Sequence, residues 1–227
     1  MNKNVIILAI VYLIGISLLL VFGEIIYRRL KVKGEISRKF AHFASTLSTL
    51  TFPYIFFSHW YVLALASIFF TALLITRNGT MLGSIHDIER KSMGSYLLPL
   101  SIYLTFLIAD ISGNRLLFIL PMLILAICDP LAAVTGMSFE KNNHKIKLFG
   151  FDTKKSVFGS GAFFISAFII CLIAFYFRNN SIDGPVILLS FIIALTSTLG
   201  ELFSWRGSDN LTIPLSVILV LVIFNQS

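Results

Sequence analysis

The stretch LLFILPMLILAICDPLAAVTG, residues 116–136, carries a single charged side chain, that of Asp129, which Pro130 follows directly. Runs of about 18 or more predominantly apolar residues are typical of membrane-spanning helices. A charged side chain inside such a helix is costly and usually marks a functional position. The stretch therefore predicts a membrane helix whose carboxylate needs an explanation.

The rest of the 227-residue chain has the same character, with 57% hydrophobic and only 13% charged residues. A soluble domain has about 25% charged residues. We therefore predict an all-α fold, a polytopic integral membrane bundle of about seven to eight transmembrane helices. The first candidate span has no signal-peptide cleavage site and is retained as a span. The candidate spans are residues 5–22, 40–57, 60–76, 94–109, 116–136, 157–177, 185–204 and 211–224.

Basic residues collect in four of the predicted connections, 23–39, 77–93, 129–156 and 205–210, which hold 15 of the 18 Lys and Arg. Lys and Arg in short loops mark the cytoplasmic side of a membrane protein. This distribution predicts that these connections are cytosolic and that both termini lie outside. It also accounts for the net charge of +7 without a nucleic-acid partner.

Acidic residues gather on the same side, although Asp and Glu contribute little to topology. Of the 11 Asp and Glu, 9 lie in these connections or at their membrane edge. A transporter would place its ionisable groups near the bilayer midplane. The pattern therefore favours a site at the cytosolic membrane surface, where a water-soluble anionic reactant meets a lipid.

The Asp129–Pro130 pair predicts the end of one helix and the start of another, because Asp is a preferred N-cap and Pro is favoured at the first helical position. Ala132 and Gly136 then share a helix face with Asp129 and let another backbone or a ligand come close. A capped kink with tight packing is the alternative explanation. A carboxylate at that depth is costly unless it is paired or metal-bound.

Two basic segments are candidates for binding phosphate. Lys154, Lys155 and Ser156 are predicted at the start of a helix, whose free N–H groups and dipole attract anions. The segment is not a P-loop, because Lys154 stands where the second glycine belongs. Arg38 and His42 are four residues apart on one helix face, where a basic collar that follows membrane topology is the alternative.

Further carboxylates lie near the C-terminus. Glu201 lies in an apolar helix end, and Asp209–Asn210 is predicted in a turn before the last helix. Mg²⁺ prefers a few carboxylates together with substrate phosphates and water. We therefore predict a Mg²⁺–nucleotide site held by Asp129, Glu201 and Asp209. Arg90 and Lys91, which open another helix, are equally explained by topology.

These motifs, in this order, resemble those of the polyprenol, phytol and dolichol kinases and the CTP-dependent diacylglycerol kinases, relatives of the phosphatidate cytidylyltransferases. The resemblance covers residues 38–214, and each motif is short. The matches are Arg38, Lys39 and His42 in R-K-x-x-H; Arg90 through Pro99 in R-K-[ST]-x-G-S-x-x-x-P; Asp129, Ala132 and Gly136 in D-x-x-A-x-x-x-G; Lys155, Ser156, Gly159 and Ser160 in K-[ST]-x-x-G-S; and Glu201, Asp209, Asn210, Leu211 and Pro214 in E…D-N-L-x-x-P.

The resemblance implies a single membrane-embedded catalytic domain over residues 1–227 that transfers a phosphoryl group from CTP, or another nucleoside triphosphate, to the hydroxyl of a membrane lipid with Mg²⁺. The catalytic residues it implies are Asp129, Lys155, Glu201, Asp209 and His42. The residues it implies for binding the nucleotide are Arg38, Lys39, Arg90, Lys91, Lys154, Ser156, Gly136 and Asn210.

Two departures from the family pattern bear on the activity. Many members have Gly where this chain has Cys128, and many have Glu where this chain has Phe158. The cytidylyltransferases have that Glu and also further acidic and basic motifs near the C-terminus that this chain lacks, and both points favour a phytol- or polyprenol-kinase-like member. Two alternatives stay open at this point: a phosphatidate cytidylyltransferase that uses the same parts, and a non-catalytic membrane protein or transporter.

Overall fold

The computed structural model describes residues 3–30, 34–76, 93–139, 144–148 and 151–224. Arg90 and Lys91 lie outside the described residues, as does the side chain of Lys154. The described residues form nine helices and two strands. In chain order these are α1 Lys3–Leu30, α2 Gly34–Thr49, α3 Phe52–Ile55, α4 His59–Thr76, α5 Gly94–Ser112, α6 Leu116–Ser138, β1 Lys145–Leu148, β2 Phe151–Ser156, α7 Val157–Asn179, α8 Gly184–Leu202 and α9 Asp209–Ile223.

Six of these helices, α1 and α4 to α8, are long and apolar enough to cross a membrane. The predicted polytopic helical membrane fold is therefore confirmed. The last helix, α9, has 15 residues. At about 1.5 Å per residue it is shorter than the hydrocarbon core of a bilayer.

The predicted span 40–57 is wrong as a single helix, because α2 ends at Thr49 and α3 begins at Phe52. Pro53 has no backbone N–H and would leave the carbonyl of Thr49 without its helical partner. In α2, Thr46 and Thr49 are buried, whereas Phe40 and Leu47 are exposed. The helix thus turns a polar face into the bundle.

Helix α6 is the centre of the bundle and packs against α2, α5, α7 and α9. It is continuous through Asp129 and Pro130 to Ser138, so the predicted helix restart at this pair is wrong. A proline removes only one helical hydrogen bond, and neighbouring helices in a membrane bundle can satisfy the freed carbonyl. Asp129 is therefore an interior helix residue rather than an N-cap.

The strands β1 and β2 form an antiparallel hairpin that the sequence did not predict. The Thr153 hydroxyl donates to the carbonyl of Ile146 at 2.6 Å, which ties the two strands together. Lys155 consequently lies at the end of a strand. Ser156 caps α7 by accepting a hydrogen bond from the backbone N–H of Gly159 at 3.2 Å.

Helices α6 and α7 approach each other closely through small residues, as the sequence predicted. A Cβ added at Gly159 would lie 2.8 Å from the carbonyl oxygen of Ala132. A Cβ added at Gly136 would lie 2.8 Å from the Ser156 hydroxyl. This contact fixes the start of α7, and with it the end of β2, against the polar end of α6.

Candidate active site

A buried ion pair joins α2 to α6. The Lys39 ammonium donates a hydrogen bond to Oδ2 of Asp129, and Asp129 is only 2% exposed. Nδ1 of His42, three residues after Lys39 on the same face of α2, lies 3.7 Å from the same carboxylate oxygen. A buried carboxylate is tolerated when it is paired in this way.

A second set of charges joins β2, α8 and α9. The Lys155 ammonium lies 2.6 Å from Oε1 of Glu201 and 3.4 Å from Oδ2 of Asp209. Glu201 is 3% exposed, and the Ser160 hydroxyl donates to its other oxygen at 3.4 Å. One lysine side chain therefore holds together carboxylates from two helices.

Electrostatics link the two sets into one group. Burial alone would lower the pKa of Lys155, but attraction to Asp209, Glu201 and Asp129 outweighs burial and raises it well above the ordinary value. Lys155 therefore stays charged at neutral pH. We call Lys39, Asp129, Lys155, Glu201 and Asp209 the lysine–carboxylate cluster.

The imidazole of His42 lies beside this cluster and is itself 8% exposed. Burial lowers the pKa of His42 to about 4, and this outweighs the opposing attraction of Asp129. Neither ring nitrogen has a hydrogen-bond partner in the described part of the chain. The site thus presents a neutral imidazole that can exchange a hydrogen bond or a proton with a substrate.

Two hydrogen bonds connect the start of α5 to the first turn of α9 and to the segment before it. Nδ2 of Asn210 donates to the carbonyl of Gly94 at 2.7 Å, and the N–H of Met93 donates to the carbonyl of Arg206 at 2.7 Å. A Cβ at Gly94 would lie 3.3 Å from Nδ2 of Asn210 and 3.4 Å from Nη1 of Arg38. Asn210 therefore has a structural role at the edge of the cluster.

A cavity of about 100 Å³ opens beside the cluster. Arg38, His42 and Asn210 line it together with apolar side chains of α1, α2, α4 and α5. His42 thus contacts both the charged cluster and this largely apolar cavity.

The structure brings together all five residues predicted to be catalytic and places Arg38, Lys39 and Asn210 around them. Ser156 and Gly136 lie outside this group, at the contact between α6 and α7. Ser160, which donates a hydrogen bond to Glu201, was not among the predicted site residues, although it belongs to the K-[ST]-x-x-G-S motif. Lys39 is the predicted nucleotide ligand that pairs with Asp129.

No group of three or more His, Cys, Asp and Glu side chains within the described ranges is arranged to hold a metal ion. The predicted three-carboxylate Mg²⁺ site is therefore not preformed there, because lysine ammonium groups lie between the carboxylates. Glu201 and Asp209 nevertheless converge on one cation, Lys155. Mg²⁺ commonly uses one or two carboxylates plus substrate phosphates, so this pair fits an ion that arrives with a nucleotide.

The fold and site define a multi-pass helical membrane protein with a buried cluster of charged side chains. Residues 3–205 match the sequence model of the cytidylyltransferase family, so the chain belongs to that family. The chain is 27% identical to a phytol kinase of Synechocystis sp. (strain PCC 6803) over 199 residues. The aligned region covers 87% of this chain and 83% of the kinase.

A second relative is an uncharacterised protein, RP860, of Rickettsia prowazekii (strain Madrid E). The two are 33% identical over 123 residues, which is 53% of this chain and 55% of that protein. No solved structure matches the chain significantly. The family and the phytol kinase together indicate a transferase of phosphorus-containing groups, with a lipid kinase activity or a related one.

Proposed function

We propose that this protein is a CTP-dependent lipid-alcohol kinase, acting on a phytol-, polyprenol- or dolichol-like alcohol or on diacylglycerol at the cytosolic membrane face. The observation that carries the proposal is the lysine–carboxylate cluster, which the bundle buries beside a neutral histidine and an apolar cavity. Phosphoryl transfer depends chiefly on positioning and on neutralising charge at the phosphates. A cluster of this kind supplies both.

The lysines are the groups that bind the nucleotide phosphates. Lys155 and Lys39 exchange part of their contact with carboxylates for contact with phosphate oxygens, and Arg38 adds a third positive charge at the cavity mouth. Glu201 and Asp209 would hold Mg²⁺, which would neutralise charge on the phosphates.

His42 receives the proton of the lipid hydroxyl. The hydroxyl oxygen forms a bond to the γ-phosphorus of CTP, the bond from that phosphorus to the β–γ bridging oxygen breaks, and CDP leaves. The pKa of His42, about 4 without substrate, is raised by the negative phosphates as they come near. Asp129, at 3.7 Å, stabilises the imidazolium that forms.

The direct test is product analysis with purified protein, Mg²⁺, CTP labelled in the base, and separate lipids: phytol, farnesol, a long polyprenol, diacylglycerol and phosphatidate. We expect CDP and a phosphorylated alcohol. Parallel reactions with ATP and GTP measure the nucleotide preference, and a chelator should abolish turnover.

The second candidate is cytidylyl transfer to phosphatidate, which the family match favours. That reaction releases pyrophosphate and leaves labelled cytidine on the lipid. Pyrophosphate formed with phosphatidate alone, and no CDP with any alcohol, would overturn the kinase proposal in favour of this one.

A further inference from the structure

One face of α4 forms a wall of the cavity beside His42. Val62, Leu65, Ala66, Phe69 and Leu73 all line it, at the spacing of a single helical stripe. The helix rises about 16 Å from Val62 to Leu73, which is roughly half the hydrocarbon thickness of a bilayer. The cavity thus extends from the charged cluster into the membrane-embedded part of the bundle.

The hydroxyl groups of α2 that line the cavity already have hydrogen-bond acceptors within the helix. The Ser45 hydroxyl donates to the carbonyl of Ala41 at 2.7 Å, and the Thr49 hydroxyl donates to the carbonyl of Thr46 at 2.7 Å. Because both hydroxyl protons are used within the helix, the wall along α2 presents mainly carbon. The cavity therefore suits a hydrocarbon chain along most of its length.

The end of the cavity near the cluster is different. His42 lines it, is more than nine-tenths buried, and has two ring nitrogens without a hydrogen-bond partner among the described residues. A buried polar group left in this state costs free energy, and a ligand hydroxyl would remove that cost. The ligand is thus expected to have one hydroxyl at the end of one apolar chain.

Buried side chains line the part of the cavity that lies beyond His42 along α2 and α3. Phe52 lines the cavity there, and its ring packs edge-on against Tyr12 at 5.1 Å and Phe56 at 5.0 Å. Val62, near the start of α4, also lines the cavity and has no exposed surface. We call Phe52 and Val62 the cavity floor. Because these side chains are buried and packed against their neighbours, we expect them to limit the length of a bound chain.

We propose that this cavity binds the hydrocarbon chain of the lipid alcohol, with its hydroxyl at His42, and that the cavity floor limits the length of that chain. This inference rests on the proposed function and narrows its substrate to a single-chain alcohol. Diacylglycerol, which has two chains, and polyprenols much longer than the cavity are poor substrates.

The first test compares two alanine-to-phenylalanine variants of α4. Ala66 lines the cavity, whereas Ala64, on the same helix, is exposed on the outside of the bundle. Each buried methylene is worth about a factor of four in affinity, so Ala66→Phe should raise KM for phytol by at least about tenfold. KM for the shorter alcohol geraniol should change much less, and Ala64→Phe should keep the wild-type ratio. The same chain-length profile in both variants and the wild type would overturn the inference.

The second test does not need turnover. The wild-type protein is cross-linked to a phytol analogue with a diazirine at the end remote from the hydroxyl, and the labelled residues are mapped by mass spectrometry. Labelling at the cavity floor that unlabelled phytol competes away supports the inference, even if no alcohol is phosphorylated and the kinase proposal fails. Labelling confined to outward-facing residues such as Ile68 and Ile75, with phosphorylation intact, overturns the inference and leaves the kinase proposal standing.

Discussion

At the scale of single residues, two lysines hold the site together. Lys39 neutralises Asp129, and Lys155 neutralises Glu201 and Asp209. A buried ion pair is weak as a source of stability, but removing one partner leaves an uncompensated charge and is strongly destabilising. The same lysines are the groups that we propose to bind phosphate. Stability and activity should therefore respond differently to substitution at these positions.

Lys155→Met should reduce lipid phosphorylation by at least about 100-fold, the usual consequence of removing a group that stabilises transition-state charge. Lys145, an exposed lysine on the other strand of the hairpin, is the matched control. Lys145→Met should leave the rate unchanged. Initial rates per mole of monodisperse protein provide the comparison. Equal rates for the two variants would show that Lys155 has no part in the reaction.

Asp129→Asn should both inactivate the protein and destabilise it by about 3–5 kcal/mol, because the Lys39 ammonium loses its partner in a buried place. The double variant Asp129→Asn, Lys39→Met removes both charges and should recover most of the lost stability. It should recover none of the activity. Thermal unfolding in detergent and the CTP assay measure the two effects separately. An active double variant would show that the pair is only structural.

At the scale of elements, the contact between α6 and α7 positions Lys155. Ser156 caps α7 directly after Lys155, and Gly159 lies against the backbone of α6. The backbone carbonyl of Ala132 cannot move aside as a flexible side chain would. Any side chain at Gly159 must therefore push the start of α7, and with it Lys155, away from the cluster.

Gly159→Ala should cost about 1–3 kcal/mol, in the range of an overpacked core, and should lower activity together with stability. Gly161, two residues later in the same helix, has nothing within 4 Å of an added Cβ. Gly161→Ala should be neutral or stabilising by up to about 1 kcal/mol, because alanine favours helix. Unfolding temperatures of the two variants test this contrast, and similar values would mean that α6 and α7 adjust to each other freely.

At the scale of the whole molecule, the sequence predicted the membrane bundle well, because apolar runs of sufficient length have few other structures available. It did not predict the hairpin, whose strands KIKL and FDTKKS are short and charged. The continuity of α6 was also missed, because Asp129–Pro130 has the chemistry of a helix start and only tertiary packing overrides it. The motifs selected residues that the structure brings together, but their pairing depends on how the helices face each other. Sequence spacing within one helix could not show that Lys39 contacts Asp129.

The orientation of the bundle is the remaining whole-molecule prediction. The charge distribution predicts that the cluster faces the cytosol, together with the connection that contains His144. Single cysteines at His144 and Ser181, both exposed, report on opposite ends of α7. They are introduced into a Cys128→Ala, Cys171→Ala background, because both native cysteines are buried and a reagent that reaches them after partial unfolding would confuse the result.

A membrane-impermeant maleimide should label Ser181→Cys in intact cells and His144→Cys only in inverted vesicles. Detergent permeabilisation, which should give labelling of both, controls for accessibility. The reverse pattern would place the lysine–carboxylate cluster outside the cell, where no cytosolic nucleoside triphosphate reaches it. In that case the kinase proposal would fail on topology alone, whatever the geometry of Lys155 and Asp129.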